Sequence, residues 1–317
     1  MDRENETIPC LDFSMFDQGI NHEGSEEWKI MSKKVREACE NYGCFILMYD
    51  MNKFPCENMI MGMKDLFDLP EEIKRKHKCD VAFSDYTSDD PYIPLLQTFG
   101  ISNPPIGDNA LAFTNLMWPQ GNPTFCETMR TISSKMLEFD SIILKMILDG
   151  YGLPKQYISN IEDLKNCCNL RLHKYKVPAE INKDCEIGLT PHTDKNTLTI
   201  LCQNDVQGFE ILTKTNKWIQ VDIPQGGCVA IVGDTLKAWS NGRLHSPLHK
   251  VTMYGDKERY SFGLFAIPNQ KIKIEVPHEL IDDKIHPLRY RSFTFEEYFN
   301  HFVATQNENA LDELIGV

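Results

Sequence analysis

Between Asn169 and Pro268 this 317-residue chain breaks into short β-branched runs separated by turns, a pattern that predicts a sandwich or jelly roll. Two further observations frame that core. Ahead of it, Ile132, Met136, Phe139, Ile143 and Met146 recur at helical spacing, and behind it Thr294-Phe295-Glu296-Glu297 reads as a capped helix start. The fold class is therefore mixed α/β with a mainly β core. With 42% hydrophobic residues the chain can bury a core of that size.

Taken in order, Ile8 to Phe13 alternates weakly and predicts a short strand. Trp28, Met31, Val35, Ala38 and Cys39 predict a helix over 26–41, which Gly43 closes before a second strand at Cys44–Met48. Two helices, 54–69 and 71–78, are divided by Pro70. Residues 80–123 carry Pro91, Pro94, Pro104, Pro105, Pro119 and Pro123 without regular period, and long irregular segments of this kind tend to be functional loops. The chain then divides into a mixed helical cap over 1–123, a supporting helix over 124–153, a β core over 154–270 and a C-terminal segment over 271–317. Within the core, strands are expected at 198–202, 208–212, 218–221, 228–232, 249–252 and 260–265. In the last helix Phe295, Tyr298, Phe299 and Phe302 share a face, which either covers the core or lines a pocket mouth.

Composition narrows the function classes. A net charge of -13 argues against nucleic acid and anionic membrane surfaces, both of which attract basic patches, and favours a small-molecule partner. Eleven cysteines without a Cys-x-x-Cys pair are the usage of a reduced compartment. The charged first residues lack the apolar run of a signal peptide, and no apolar stretch reaches spanning length. These features lead us to expect a soluble cytoplasmic protein, and we expect a monomer. No Gly-x-Ser-x-Gly, His-Glu-x-x-His, phosphate-binding or dinucleotide-binding loop is present.

The chemistry-bearing stretch is His192-Thr193-Asp194, which runs into the alternating segment Leu198-Thr199-Ile200-Leu201. Residues two apart on a strand share a face, so His192 and Asp194 can aim at one ion. Downstream, His245 and His249 offer a third ligand. Two imidazoles and a carboxylate without thiolate suit non-haem Fe(II), and with a water they also suit a hydrolytic Zn²⁺. Ten residues beyond His249 stands Arg259-Tyr260-Ser261, where a guanidinium fork and a hydroxyl on one strand face match a carboxylate.

Together these residues resemble the plant 2-oxoglutarate- and Fe(II)-dependent dioxygenases, and the resemblance spans almost the whole chain. It is carried by His192-x-Asp194, His249-Lys250-Val251 and Arg259-x-Ser261, and by Ile8-Pro9-Cys10-Leu11-Asp12-Phe13, Asn41-Tyr42-Gly43-Cys44-Phe45 and Phe67-Asp68-Leu69-Pro70 nearer the start. Asp234 to Arg243 most resembles the branch with the alkenyl-glucosinolate-forming enzymes and steroidal-alkaloid hydroxylases. The resemblance implies a double-stranded β-helix, or jelly roll, with an N-terminal helical cap and a C-terminal helix.

It also implies iron on His192, Asp194 and His249, and the far carboxylate of 2-oxoglutarate on Arg259 and Ser261 with Tyr175. His245 is left as a pocket residue or as one that supports the ligands from behind. Phe99, Phe113 and Trp118, in the segment that forms a pocket wall in the family, become candidate substrate contacts beside Phe295, Tyr298 and Phe299. O2 is the second co-substrate and ascorbate a reductant. The implied activity is oxidation of a small plant specialised metabolite, by hydroxylation foremost, with desaturation, ring closure or demethylation as other outcomes. The chain departs from the family where Asn-Tyr-Tyr-Pro is His173-Lys174-Tyr175-Lys176, where His-Arg-Val is His249-Lys250-Val251, and where a common glycine is Asn196. Two other classes compete: a non-catalytic metal-containing jelly-roll binder, and a zinc hydrolase that leaves Arg259 unexplained.

Overall fold

The computed structural model describes residues 7–16, 23–50, 53–79, 82, 84–157, 162–165, 167–178 and 186–317. Two antiparallel sheets face one another. The larger has seven strands in the order β1 (Cys10–Asp12), β2 (Cys44–Met48), β9 (Cys228–Val232), β6 (Leu198–Gln203), β11 (Arg259–Ile267), β4 (Cys167–Tyr175) and β3 (Leu96–Ser102). The smaller runs β5 (Glu186–His192), β10 (His249–Met253), β7 (Phe209–Leu212), β8 (Trp218–Gln220). Among the described residues only β1 and β2 pair in parallel. A small hairpin of β12 (Lys273–Ile274) and β13 (Phe293–Thr294) leads into the C-terminal helices.

The alternation of the large sheet decides what its two faces do. Leu170 and Leu172 of β4, Ile200 of β6, and Phe262 and Leu264 of β11 turn outward into one hydrophobic core with Ile143, Met146 and Ile147 of the long helix Pro123–Tyr151. Each such fully buried side chain contributes about 1.5–3 kcal/mol, so this face fixes the sheet firmly against its helix. That helix begins at Asn122, whose side chain accepts from the Phe125 amide, and ends on Gly152 in the left-handed conformation. The first helix, Glu26–Asn41, packs Trp28, Val35 and Cys39 into the same core, capped by Ser25 accepting from the Trp28 amide. The opposite residues of these strands, Tyr175, His173, Arg171 and Asn169 on β4 and Arg259, Ser261 and Phe265 on β11, point between the sheets.

Several expectations change here. The 80–123 stretch is not free of regular structure, because it holds β3 and the helix Asn109–Met117. Five of the seven β3 residues are buried, so no polar–apolar alternation marks it, and its partner β4 lies far along the chain. Asp194 is not on a strand, since β5 ends at His192 and the carboxylate stands in the turn before β6. The helices expected at 54–69 and 71–78 shorten to Cys56–Phe67 and Glu71–Lys74. Cys202 and Cys228, expected as free thiols, form a disulfide across β6 and β9, whose register sets them opposite each other although they are 26 residues apart. No helix of the described residues is long and apolar enough to cross a membrane.

Candidate active site

The cavity between the sheets, about 390 Å³, gathers chemistry from both. On the small sheet His192 ends β5 and is the register partner of His249, the first residue of β10, which brings the rings to 4.3 Å between centroids. Asp194 follows two residues later, with Oδ1 3.9 Å from His192 Nε2 and 3.7 Å from His249 Nε2. One donor atom from each of the three residues lies within 4.8 Å of the others, the spacing of ligands around a single ion.

The surroundings decide which atoms are free. His192 Nδ1 lies 2.8 Å from the Thr190 carbonyl and His249 Nδ1 3.1 Å from that of Pro247. A carbonyl only accepts, so each Nδ1 donates to it and each Nε2 is left facing Asp194. Asp194 Oδ2 accepts from Thr199 Oγ1 at 2.7 Å, which leaves Oδ1 to the histidines. Its backbone is held as firmly: the Asp194 carbonyl accepts from the Asp234 amide at 2.7 Å, beside Gly233, where a Cβ would come within 2.0 Å of the Asn196 carbonyl oxygen. Burial, and after it the neighbouring His249, lowers His192 to about 4, so it is neutral at ordinary pH, as a metal ligand must be. A donor set of two imidazoles and one carboxylate fits iron(II).

Arg259 lies at the closed end, fully buried. Its Nη2 donates to Gln203 Oε1 at 2.7 Å, its Nη1 lies 3.2 Å from Ser261 Oγ, and its guanidinium carbon sits 5.0 Å from the centre of the Tyr175 ring. Gln207 accepts from Gln203 Nε2 at 2.7 Å, which turns the Gln203 oxygen toward the arginine. No carboxylate of the described residues pairs with this guanidinium. A buried unpaired charge is costly, so the arrangement calls for an anion, and the bidentate fork suits a carboxylate. Burial, then the Arg171 and Arg259 charges, pushes the adjacent His173 down to about 3, and it too is neutral.

Among the expected substrate contacts, Phe295 and Phe299 do line the cavity, with Phe302, on the helix Phe295–Thr305. Tyr298 does not; it is buried behind them and donates to Asp234 Oδ2 at 2.7 Å, the oxygen that also accepts from Thr193 Oγ1. Phe99, Phe113 and Trp118 are corrected as well. Phe99 packs with Phe67, His77, Tyr86 and Phe113, and Trp118 packs with Phe125, all in the core on the other side of the sheet. Strand parity is the reason: Leu96 and Thr98 of β3 face the cavity, which sends Phe99 outward. His245 is not a pocket residue; its amide donates to the Cys39 carbonyl at the end of the first helix.

The sequence reading missed Gln203, Thr199, Arg171, and the pair Lys195–Glu308, in which Glu308 accepts from Lys195 Nζ at 2.7 Å and from the Thr193 amide at 3.1 Å. Of these, Arg171 shares strand parity with Tyr175, which was the available signal, whereas Gln203 and Thr199 are brought to the cavity only by the pairing of β6 with β11. Glu308 had none.

Comparison with known proteins agrees with this geometry. Residues 166–268 match the 2OG-Fe(II) oxygenase superfamily, and residues 8–93 match the N-terminal region of non-haem dioxygenases in morphine synthesis. The probable 2-oxoglutarate-dependent dioxygenase AOP1 of Arabidopsis thaliana is 38% identical, over 94% of this chain and 97% of its own. The rice dioxygenase for auxin oxidation superposes with a TM-score of 0.80 at 26% identity, over 97% of this chain and 99% of its own. Dioxygenase for auxin oxidation 1 of Arabidopsis thaliana, in its 2-oxoglutarate complex, gives 0.76 at 24% identity, over 89% and 100%.

Proposed function

This chain belongs to the 2-oxoglutarate- and Fe(II)-dependent oxygenase superfamily, and from that membership we propose that His192, Asp194 and His249 hold the iron while Arg259, Ser261 and Tyr175 hold the co-substrate. The observation that carries the reading is the joint presence, in one cavity, of the His–Asp–His cluster and a buried guanidinium with no anion. Arg259 binds the far carboxylate of 2-oxoglutarate through its fork, Ser261 adds a hydroxyl donor, and Gln203 keeps the guanidinium aimed. Thr199 holds Asp194 in its coordinating orientation. The walls formed by Leu189, Phe209, Val251 and Phe299 exclude water, which strengthens every polar contact inside. When bound, iron supplies the O2 chemistry that converts 2-oxoglutarate to succinate and CO2 and oxidises a substrate C–H bond.

The substrate is a small metabolite of the plant specialised kind, in keeping with the relatives, and hydroxylation is the expected outcome. Anaerobic addition of Fe(II) and then 2-oxoglutarate should give the weak visible charge-transfer band of a chelated keto acid. That band should be absent from an Asp194→Ala variant. Bound metal without any band in the parent protein would favour a non-catalytic binder or a hydrolase instead.

A further inference from the structure

Arg171 is the second arginine of the cavity and the reading so far leaves it without a task. It stands on β4 four residues from Tyr175, on the same face, so the two backbones are ~13 Å apart along the strand. Its guanidinium lies 5.2 Å from the centre of the Phe265 ring, which folds back over Gly263, the register partner of Arg171 on β11. Among the described residues it makes no hydrogen bond and no ion pair, and its buried Nε has no partner. On both neighbouring strands its register partner is a glycine, Gly100 and Gly263, so neither strand sets a side chain beside it. Two more polar atoms without partners, Thr98 Oγ1 and Asn169 Oδ1, belong to residues lining the same wall. Aromatic rings of Phe265, Phe295 and Phe299 supply the rest of that region.

We infer that Arg171 receives a carboxylate of the oxidised substrate, so that this enzyme acts on an organic acid with an apolar, ring-sized body. The inference rests on the proposed iron and 2-oxoglutarate sites. With them loaded, two positive charges of Fe(II) meet Asp194 and the keto-acid carboxylate, and Arg259 meets the far carboxylate. Arg171 is the cation that neither of these sites uses. The lysine of the cavity, Lys195, is already paired with Glu308 and lies 3.5 Å from Asp234. A single spare cation suits a singly charged group better than a phosphate. The co-substrate carboxylate held by Arg259 does not take this place, because Arg259 pairs with Tyr175 and Arg171 stands four residues, ~13 Å, further along β4.

The test needs no knowledge of the natural substrate. Protein loaded anaerobically with Mn(II) and 2-oxoglutarate is titrated calorimetrically with 2-naphthylacetate, 3-phenylpropanoate and cyclohexylacetate, each beside its methyl ester and primary amide. At least one acid should bind about tenfold or more tightly than both of its neutral partners. In Arg171→Gln that preference should fall to about threefold or less while 2-oxoglutarate binding stays within about twofold. Arg171→Lys should keep an intermediate preference, since it retains charge without the fork. The proposal is overturned if no acid outbinds its neutral partners in the parent protein, an arm that does not depend on any variant folding. It is equally overturned if the preference survives Arg171→Gln, or if that variant loses 2-oxoglutarate instead. Failure of Mn(II) and 2-oxoglutarate to bind the parent protein would mark the failure of the oxygenase reading itself, and this inference would go with it.

Discussion

At the closed end of the cavity Tyr175, Gln203, Arg259 and Ser261 stand on three adjacent hydrogen-bonded strands, whereas at the mouth Phe299, Phe302, Gln306 and Glu308 come from one helix and the turn after it. The closed end is held by backbone register along nine paired residues of β4 and β11. The mouth is held by a few side-chain ties, chiefly Lys195 to Glu308 and Tyr298 to Asp234. A site that must present fixed charges to a fixed co-substrate is thus built on strands, and the surface that must admit a substrate is built on elements that can open at small cost. The metal cluster joins the two, since Asp194 lies in the turn between Thr193, which is tied to Glu308, and Lys195.

Breaking that junction should have the largest effect. Asp194→Ala removes the one carboxylate among the three ligands and should abolish both Fe(II) binding, measured by anaerobic titration, and succinate formation. Retention of stoichiometric iron would show that the histidines alone suffice and that the junction is not where the two regions meet. At the closed end, Arg259→Ala deletes a charge-assisted bidentate contact of about 1.5–3 kcal/mol, so the 2-oxoglutarate requirement should rise about 10- to 150-fold with iron binding retained. An unchanged requirement would move the carboxylate to another residue.

The same contrast explains how much could be read from the sequence. His192-x-Asp194, His249 and Arg259-x-Ser261 were legible because short spacing encodes them locally, although Asp194 stands in the turn after β5 and owes nothing to strand parity. Arg171 shares the parity of Tyr175, but it and Gln203 come into use only when register sets β4 and β6 on either side of β11, which is a nonlocal fact. Phe99 was misassigned for a related reason. Its strand carries apolar residues on both faces, so its side could be fixed only by pairing with Leu172. Glu308 lies 113 residues from Lys195, and nothing in either neighbourhood announces the pair.

A smaller effect is expected from Glu308→Ala at the mouth. Glu308 is partly exposed, and Lys195 keeps Asp234 at 3.5 Å, so the loss of stability should be about 1 kcal/mol or less. Hydrogen exchange should quicken over 299–309 and stay unchanged over β11, with 2-oxoglutarate affinity held within about twofold. Equal quickening in β11 would mean that mouth and closed end open as one unit.

The effect that touches the site least belongs to a residue outside both regions. Burial, then Lys214 and Lys237, lowers His245 to about 4, and its buried Nε2 has no hydrogen-bond partner. Between about pH 4 and the ordinary histidine value near 6.5 the unfolded chain therefore binds more protons at this position than the folded one. Stability from the neutral ring is fully present above about 6.5 and is lost as pH falls toward 4. His245→Leu should remove this share and flatten the fall of metal-free stability across that window, by at most about 1.4 kcal/mol per pH unit, while Fe(II) binding is unchanged. His249→Leu should lose the metal. If His245→Leu instead weakened iron binding and left the pH slope alone, the assignment of the third ligand to His249 would fail.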